Sequence, residues 1–443
     1  MATNIDTPFI LIPQYFGCTV FDRSMSRYLP FDAETTKLLK LSQHRPFFLL
    51  IGEMFGPEKR VQAQAFFDYF SALGFFTIEG YFAGEILNVQ PAADHLTGPL
   101  AVHLEVTTTC NLSCRHCFAG KLPRQEKTLS LTEIESIFVS MARMGSFRLG
   151  LTGGEPLLRR DLFEIIDLAL SYGLHPCITT NGTLITEDIA KEFGKRDFIW
   201  LNVSLDGAAA ASNDLIRGRG TFDRVMENLE ILAKHSRFTL AFTVMQTNAH
   251  EVKACAELAY RAGAATAVFR PLYPVGVAQS NLSELMPSFA QYNQALAVLS
   301  EMADANMHTV EPFSRYCHAE THAITYGNYG CGAGNLVCSV SASGDVNPCS
   351  FLGTSFVGGN IREHSLEEIW HRSDTFCLMR ALPGGTKDTF SGGCRARALV
   401  FNGSVNAPDP WMSEMLIASR CADDVVVHDP RVILEFSKRY AED

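Results

Sequence analysis

The sequence predicts an α/β protein: a partial (β/α)6 barrel, preceded by a small winged-helix-like domain and followed by an irregular, cysteine-rich region. Three observations lead there. Strand-like and helix-like segments alternate through residues 96–310. Ahead of them, residues 1–95 carry a short strand–helix–helix–strand pattern. Beyond residue 311 the periodicity fades while Gly, Pro and Cys become dense. At 443 residues the chain is too long for one ordinary hydrophobic core. Domains are expected over 1–95, 96–310 and 311–443.

From the N-terminus, FGCTVFDRSMSRYLPF alternates loosely and predicts a strand or hairpin. DAETTKLLKL follows, with Asp32 as an N-cap ahead of an apolar helical face. VQAQAFFDYFSALGFF repeats apolar residues at helical spacing and breaks at Gly74; FFTIEGYFAGEIL then reads as a strand. PAADHLTGP, residues 91–99, reads as a linker. In the central region LAVHLEVTT, SFRLGLTGG, HPCITTNG, FIWLNVSLDG, FTLAFTVMQTN and TAVFRPLYP read as strands. LTEIESIFVSMARMG, DLFEIIDLALSYG, DIAKEFGKRD, FDRVMENLEILAKH and ELAYRAGA read as the helices between them. Such alternation builds a parallel sheet whose ligands sit at the C-terminal strand ends. About six units, not eight, argue for a partial barrel. The C-terminal region needs another source of stability, and bound metal would supply it.

Composition narrows the function classes. Apolar residues make up 47 % and charged residues 19 %, as in a globular protein. A net charge of −11 disfavours a general nucleic-acid partner. No signal peptide is visible, and no stretch approaches the roughly 18 apolar residues of a spanning helix. A soluble cytoplasmic protein with no membrane partner is expected. Its 13 cysteines should then be reduced, and clustered thiols point to metal ligation. Cys18, Cys177 and Cys255 lie in apolar or helical surroundings and read as small core residues.

The densest cluster is CNLSCRHC, with Cys110, Cys114 and Cys117 on a loop after a predicted strand. Thiolates favour zinc and iron–sulfur clusters. Structural zinc wants four protein ligands, and His116 is the local candidate for a fourth, although its neighbours make simultaneous ligation awkward. A cubane on three cysteines instead keeps one iron open for a substrate or cofactor.

This run resembles the CxxxCxxC signature of the radical S-adenosylmethionine (SAM) enzymes, which makes the predicted fold a partial (β/α)6 radical SAM barrel. TGGEP, Thr152 to Pro156, follows at the end of the next strand, where that family holds the methionine amino group. The resemblance assigns Gly153, Gly154, Glu155 and Pro156 to SAM binding. It adds Asn181 in TTNGT, Ser204 and Asp206 in SLDG, and Arg217 in IRGRGTF as contacts to the ribose and carboxylate of SAM. Arg270 in FRPLYP faces the same mouth. The implied chemistry is reductive: one electron from the 4Fe–4S cluster splits SAM to methionine and a 5′-deoxyadenosyl radical, which abstracts a substrate hydrogen. Cys110, Cys114 and Cys117 are the catalytic cluster ligands.

CGAGNLVCSVSASGDVNPC, then GNIREHSLEEIW and SGGCRARALVFNG, resemble the SPASM and shorter twitch extensions that carry auxiliary 4Fe–4S clusters. Many relatives read CGGC where Ser391 precedes Gly-Gly-Cys394, and place a cysteine where this chain has Met412. Cys331, Cys338, Cys349 and Cys394 make one thiolate set, so one auxiliary cluster is expected. Cys421 is a substitute ligand, and Cys317 and Cys377 are weaker candidates.

The resemblance implies a maturase acting on a ribosomally made precursor peptide, with residues 1–95 holding a leader as an added strand. An electron donor such as flavodoxin or ferredoxin follows from the chemistry. GGCRARA is also similar to enzymes that trim tetrapyrrole side chains in haem and haem d1 synthesis, which keeps a second substrate class open. An iron–sulfur scaffold or redox sensor is the non-enzymatic reading; it has no use for a SAM pocket.

Overall fold

The computed structural model describes residues 7–120, 128–197, 199–301, 307–308, 331–381 and 393–411. Three strands, β1 (Phe9–Gln14), β2 (Gly17–Asp22) and β3 (Arg27–Asp32), form an antiparallel meander. Helices α1 (Ala33–Leu41), α2 (Phe47–Met54) and α3 (Pro57–Ala72) follow. β4 (Glu85–Ile86) then pairs parallel with β1, giving the order β3-β2-β1-β4. Asp32 caps α1 as expected, its carboxylate accepting from the Thr35 N–H at 2.7 Å. This layer has its own aromatic core, including Phe31, Phe47, Phe66, Phe70 and Phe75. Two elements depart from the sequence reading. FILIPQ is a strand, and FFLLIGEM, which carries no polar period, is a helix. The segment 76–86 yields only a bridge between Phe76 and Phe82 and the two residues of β4.

The central region alternates in the predicted order. β5 (Ala101–Thr107), α4 (Leu131–Met144), β6 (Arg148–Gly153), α5 (Leu162–Ser171), β7 (His175–Thr180) and α6 (Glu187–Gly194) come first. β8 (Trp200–Ser204), α7 (Ala210–Arg217), α8 (Thr221–Leu232), β9 (Thr239–Val244), α9 (Val252–Arg261) and β10 (Thr266–Pro271) complete the six strands. Two helices, α10 (Leu282–Leu285) and α11 (Phe289–Ala297), lead to β11 (Met307–His308), parallel to β10. All pairings from β5 to β10 are parallel. Along each strand one parity enters the main core, as Val102, Leu104 and Val106 of β5 and Ala267 and Phe269 of β10 do. The other parity faces the inner side of the sheet.

The C-terminal region is more regular than expected. Its strands β12 (Val337–Val340), β13 (Asp345–Asn347) and β14 (Gly359–Asn360) extend the same sheet, β12 pairing parallel with β5. Helices α12 (Leu366–Arg372), α13 (Asp374–Ala381) and α14 (Arg395–Asn402) follow. A capping box between Ser365 and Glu368 starts α12.

The N-terminal layer docks on the floor of the barrel, at the N-terminal ends of its strands. The Tyr28 hydroxyl donates to the Gly145 carbonyl at 3.1 Å and accepts from the Phe147 N–H at 2.6 Å, just ahead of β6. Phe21 stacks on Phe147 and meets His175 edge-on. Arg23 donates to the Gly173 carbonyl and lies over the Phe147 ring.

Candidate active site

The opposite end of the barrel carries the cysteine loop. Cys110, Cys114 and Cys117 line one solvent-open cleft of about 620 Å³, together with Glu105, Thr107, Gly153, Gly154 and Val277. Backbone ladders fix its walls. Gly154 N–H donates to the Thr107 carbonyl and Glu155 N–H to the Thr109 carbonyl. Only glycine fits there: a Cβ on Gly153 would lie 2.2 Å from the Thr107 oxygen, and one on Gly154 2.1 Å from the Thr109 oxygen. Gly153 also has φ +127°, which L side chains avoid. The TGGEP glycines are therefore required by the approach of two strands, and their backbone lines the cleft.

Glu155 lies beneath that wall, fully buried. Its carboxylate accepts from the Asn181 N–H at 2.7 Å, the Thr180 hydroxyl at 2.7 Å and the Leu157 N–H at 3.1 Å. Burial pushes its pKa up, and these hydrogen bonds oppose it. Glu155 is thus a positioning residue that ties the end of β6 to the end of β7. Pro156 opens a short 3-10 turn after it and is buried. Asn181 donates to the Asn111 side chain at 2.8 Å, and Asn111 donates to the Thr183 hydroxyl at 2.8 Å. Asn111 was not singled out from the sequence; its place inside CNLSC is the signal that marks it.

Asp206 is also fully buried. It pairs with Arg217 at 2.7 Å and His116 at 3.1 Å, and accepts from the Thr243 N–H at 2.9 Å. The Arg217 contact is close but off-axis, an ion pair without a directed hydrogen bond. Burial alone would raise the Asp206 carboxyl, but Arg217 and His116 overcome it and hold its pKa below the usual range. His116 is thereby committed to Asp206. Ser204 ends β8, half-buried on the inner side. Burial pushes the Cys114 thiol up to about 11 against the pull of Arg217, so the guanidinium sits where it favours a thiolate.

In the C-terminal layer the thiols of Cys331, Cys349 and Cys394 converge on one small core with Ala333, Leu352 and Met379. Burial raises the Cys349 pKa, and its neighbours Cys331 and Cys394 act the same way. Asp409 fixes this corner: it accepts from the Cys394 N–H at 2.6 Å and from Arg397 at 2.9 Å. Cys338 does not join the three. It sits on β12 opposite Val102, buried in the main core, where burial pushes its thiol up to about 12. Cys377 is exposed on α13. Cys317, Cys421, Ser391 and Met412 lie outside the described residues.

Both thiol groups fit iron–sulfur clusters. Among the described residues no three His, Cys, Asp or Glu side chains converge tightly enough for a single metal ion, yet three thiols share each pocket. Three thiols suit a cubane that keeps one iron open, whereas structural zinc wants four protein ligands. Arg217 beside the first set, and Arg395 and Arg397 beside the second, supply cations near the sulfurs.

Comparisons with known proteins agree with this geometry. The model of the radical SAM superfamily matches residues 104–259, and that of the SPASM iron-sulfur cluster-binding domain matches 331–395. The mycofactocin maturase MftC of Mycolicibacterium smegmatis is 31 % identical over 71 % of this chain and 83 % of its own length. The chain belongs to the radical SAM superfamily. As a member with a SPASM domain, this radical SAM enzyme uses SAM and iron–sulfur clusters as cofactors. The AdoMet-dependent heme synthase of Methanosarcina barkeri is 32 % identical over 71 % of this chain and 96 % of that protein. In fold, the chain matches Streptococcus suis SuiB bound to S-adenosylmethionine with a TM-score of 0.69 at 15 % identity, covering 93 % of this chain and 99 % of SuiB. No helix among the described residues is long and apolar enough to cross a membrane.

Proposed function

We propose that this radical SAM enzyme modifies a ribosomally made precursor peptide. The observation that carries the reading is the N-terminal layer. It has its own core, an edge strand in β3, and much of the chain's exposed apolar surface, including Phe48, Leu49, Val61 and Ile78. An extended leader can add as a strand to such a sheet edge. The match to SuiB covers 93 % of this chain, which cannot be reached without most of that layer, and one SuiB structure is bound to its precursor peptide SuiA. The similarity to mycofactocin maturase points the same way.

Cys110, Cys114 and Cys117 hold the SAM-binding 4Fe–4S cluster in this reading, with Gly153 and Gly154 lining the SAM side of the cleft. When bound, the pair supplies an electron and a 5′-deoxyadenosyl radical that abstracts a substrate hydrogen. The chain's own part is positioning. Asp206 locks Arg217 beside the thiols, and Glu155 and Asn181 brace the loop. An auxiliary cluster rests on Cys331, Cys349 and Cys394, with Cys317 or Cys421 as the candidate fourth ligand. A flavodoxin or ferredoxin delivers the electron. Co-expression with a short peptide encoded beside the chain, followed by mass spectrometry, tests the function. A mass shift requiring both the leader and Cys114 supports it. The second reading, tetrapyrrole side-chain modification, is favoured by the 96 % coverage of the heme synthase; porphyrin binding with no leader dependence would establish it instead.

A further inference from the structure

The inner side of the barrel contains charge that the cysteine cleft does not use. His103 of β5, Arg148 of β6, Trp200 of β8 and Arg270 of β10 all have the inward parity of their strands, and all four are exposed to solvent. Their exposure shows that the lumen is open to water. One side of the His103 ring packs against Gly150 of β6 while the rest stays open to water; that partial desolvation lowers its pKa, and the Arg270 charge acts the same way. In a flat sheet β5 and β10 would stand five strand spacings apart, about 24 Å. The chain does not lie flat: the Val277 N–H, seven residues past Arg270, donates to the Cys117 carbonyl on the loop that β5 feeds, and Val277 and Glu105 line one cleft, so the inner faces of β5 and β10 turn toward each other. Arg270 also acts on Cys177 of β7, as does Arg148.

The lumen is unbalanced. Among the described residues neither Arg148 nor Arg270 forms an ion pair, and the inward-facing carboxylate of Glu105 is engaged by the Ala342 N–H instead. Between the two cations lie an ordered amide and a thiol: Trp200 donates to Asn202 at 3.1 Å, and Asn202 donates to the Cys177 sulfur at 3.2 Å. Arg270 stands one residue from the C-terminal end of β10, seven residues before Val277 of the cysteine cleft. A cation in a concave, protein-walled space draws an anion, and a guanidinium fork matches a carboxylate in two parallel hydrogen bonds.

We propose that the barrel lumen is a carboxylate receptor, in which Arg270 holds a carboxylate of the substrate below the cysteine cleft and Arg148 adds positive potential from the floor. This rests on the peptide reading for its substrate, the carboxylate being a chain end or an acidic side chain. Arg270 is then a specificity-determining residue, selecting which part of the peptide enters the barrel.

Cys177 is a built-in reporter, and the test needs no precursor. Anaerobic holoprotein is alkylated with iodoacetate or with iodoacetamide, and the rates at Cys177 are read by mass spectrometry. Their ratio cancels the acidity of the thiol and leaves the preference for a carboxylate. Arg270→Gln should lower the iodoacetate-to-iodoacetamide ratio about fivefold, about 1 kcal/mol, and Arg270→Lys should restore most of it. N-acetylalanine should protect Cys177 if the site takes a chain end, the α-amide of N-acetylglutamate if it takes a side chain, and N-acetylalaninamide should do neither. An unchanged ratio in Arg270→Gln, equal protection by acid and amide, or a Cys177 inert to both reagents overturns the proposal. If the ratio shifts as expected but no peptide is modified, the peptide reading fails while the receptor stands.

Discussion

Two cysteine substitutions in the C-terminal layer separate the thiols that touch iron from those that merely fill space. Cys338 is 1 % exposed in the main core, facing Val102 through the β12–β5 ladder. Cys338→Ala removes one buried sulfur, about the volume of a methylene, and should cost about 1 kcal/mol. Nothing in its surroundings ties it to the other three thiols, so the iron content should stay at about eight per chain, two cubanes' worth. Cys394 is different. Its thiol meets Cys331 in a small separate core, and Arg397 and Asp409 are arranged around it. Cys394→Ala should drop the iron to about four per chain and lower the melting temperature of the C-terminal layer, because bound metal is folding energy in a region with so small a core. Iron and sulfide assays on anaerobically reconstituted protein, with the charge-transfer absorbance near 400 nm as a check, read both variants. The reverse pattern, iron lost with Cys338→Ala and kept with Cys394→Ala, would refute the grouping of Cys331, Cys349 and Cys394.

Three further perturbations follow from the geometry. Glu155→Gln replaces one acceptor oxygen with an N–H facing the Asn181 N–H or the Thr180 and Leu157 donors; losing a charge-assisted bond costs about 2 kcal/mol, so SAM affinity by calorimetry should fall more than tenfold while the first cluster remains. Asp409→Asn removes the carboxylate charge that Arg397, fully buried and 3.6 Å over the Trp411 ring, meets at 2.9 Å; up to about 3–5 kcal/mol of local stability should go, seen as early proteolysis near residue 394. Acid should weaken the floor of the barrel through His175, whose pKa is lowered to about 4, first by burial and then by Arg23 and Arg148. A depressed histidine pKa gives stability that is complete above about 6.5 and lost as pH falls toward 4, about 2 kcal/mol by pH 5. His175→Phe should flatten the Tm-against-pH curve in that window; an unchanged slope would show that His175 titrates freely.

Much of the site was legible because its chemistry is local. Cys110, Cys114 and Cys117 are eight residues of sequence, and the TGGEP glycines announce a close backbone approach that the structure shows against Thr107 and Thr109. What could not be read was long-range convergence. The resemblance places Asp206 and Arg217 at one site, but nothing in the string shows that they pair with each other or that His116 turns from the cysteine loop to Asp206. Cys177 was expected in the core; apolar neighbours of a strand residue do not reveal whether its face meets helices or a water-filled lumen, and here it meets the lumen. Cys338 sits seven residues from Cys331, a spacing that suggests partnership, but strand β12 turns it toward Val102. The same strand shows why the C-terminal region is more regular than its Gly and Pro content suggests. It borrows the exposed edge of β5, and a pairing partner so remote in sequence leaves no local trace.

That borrowed edge also brings the two sulfur sites to one side of the molecule. Because β12 runs parallel to β5, the chain beyond it returns near the loop that β5 feeds. Phe351, two residues past Cys349, stacks on Tyr273 at 3.9 Å and meets Phe118, next to Cys117, edge-on at 5.2 Å. The Val277 N–H closes the same seam by donating to the Cys117 carbonyl at 2.8 Å. An auxiliary cluster held at Cys349 therefore adjoins the cysteine loop through one aromatic contact, on the rim where an anion seated at Arg270 would present its neighbouring atoms. The N-terminal layer lies at the other end, against Phe147 and Gly173. A peptide engaged by both ends must run the height of the barrel. Its strands of six residues span about 20 Å, so at least about six extended residues must separate what the N-terminal layer holds from what the radical attacks.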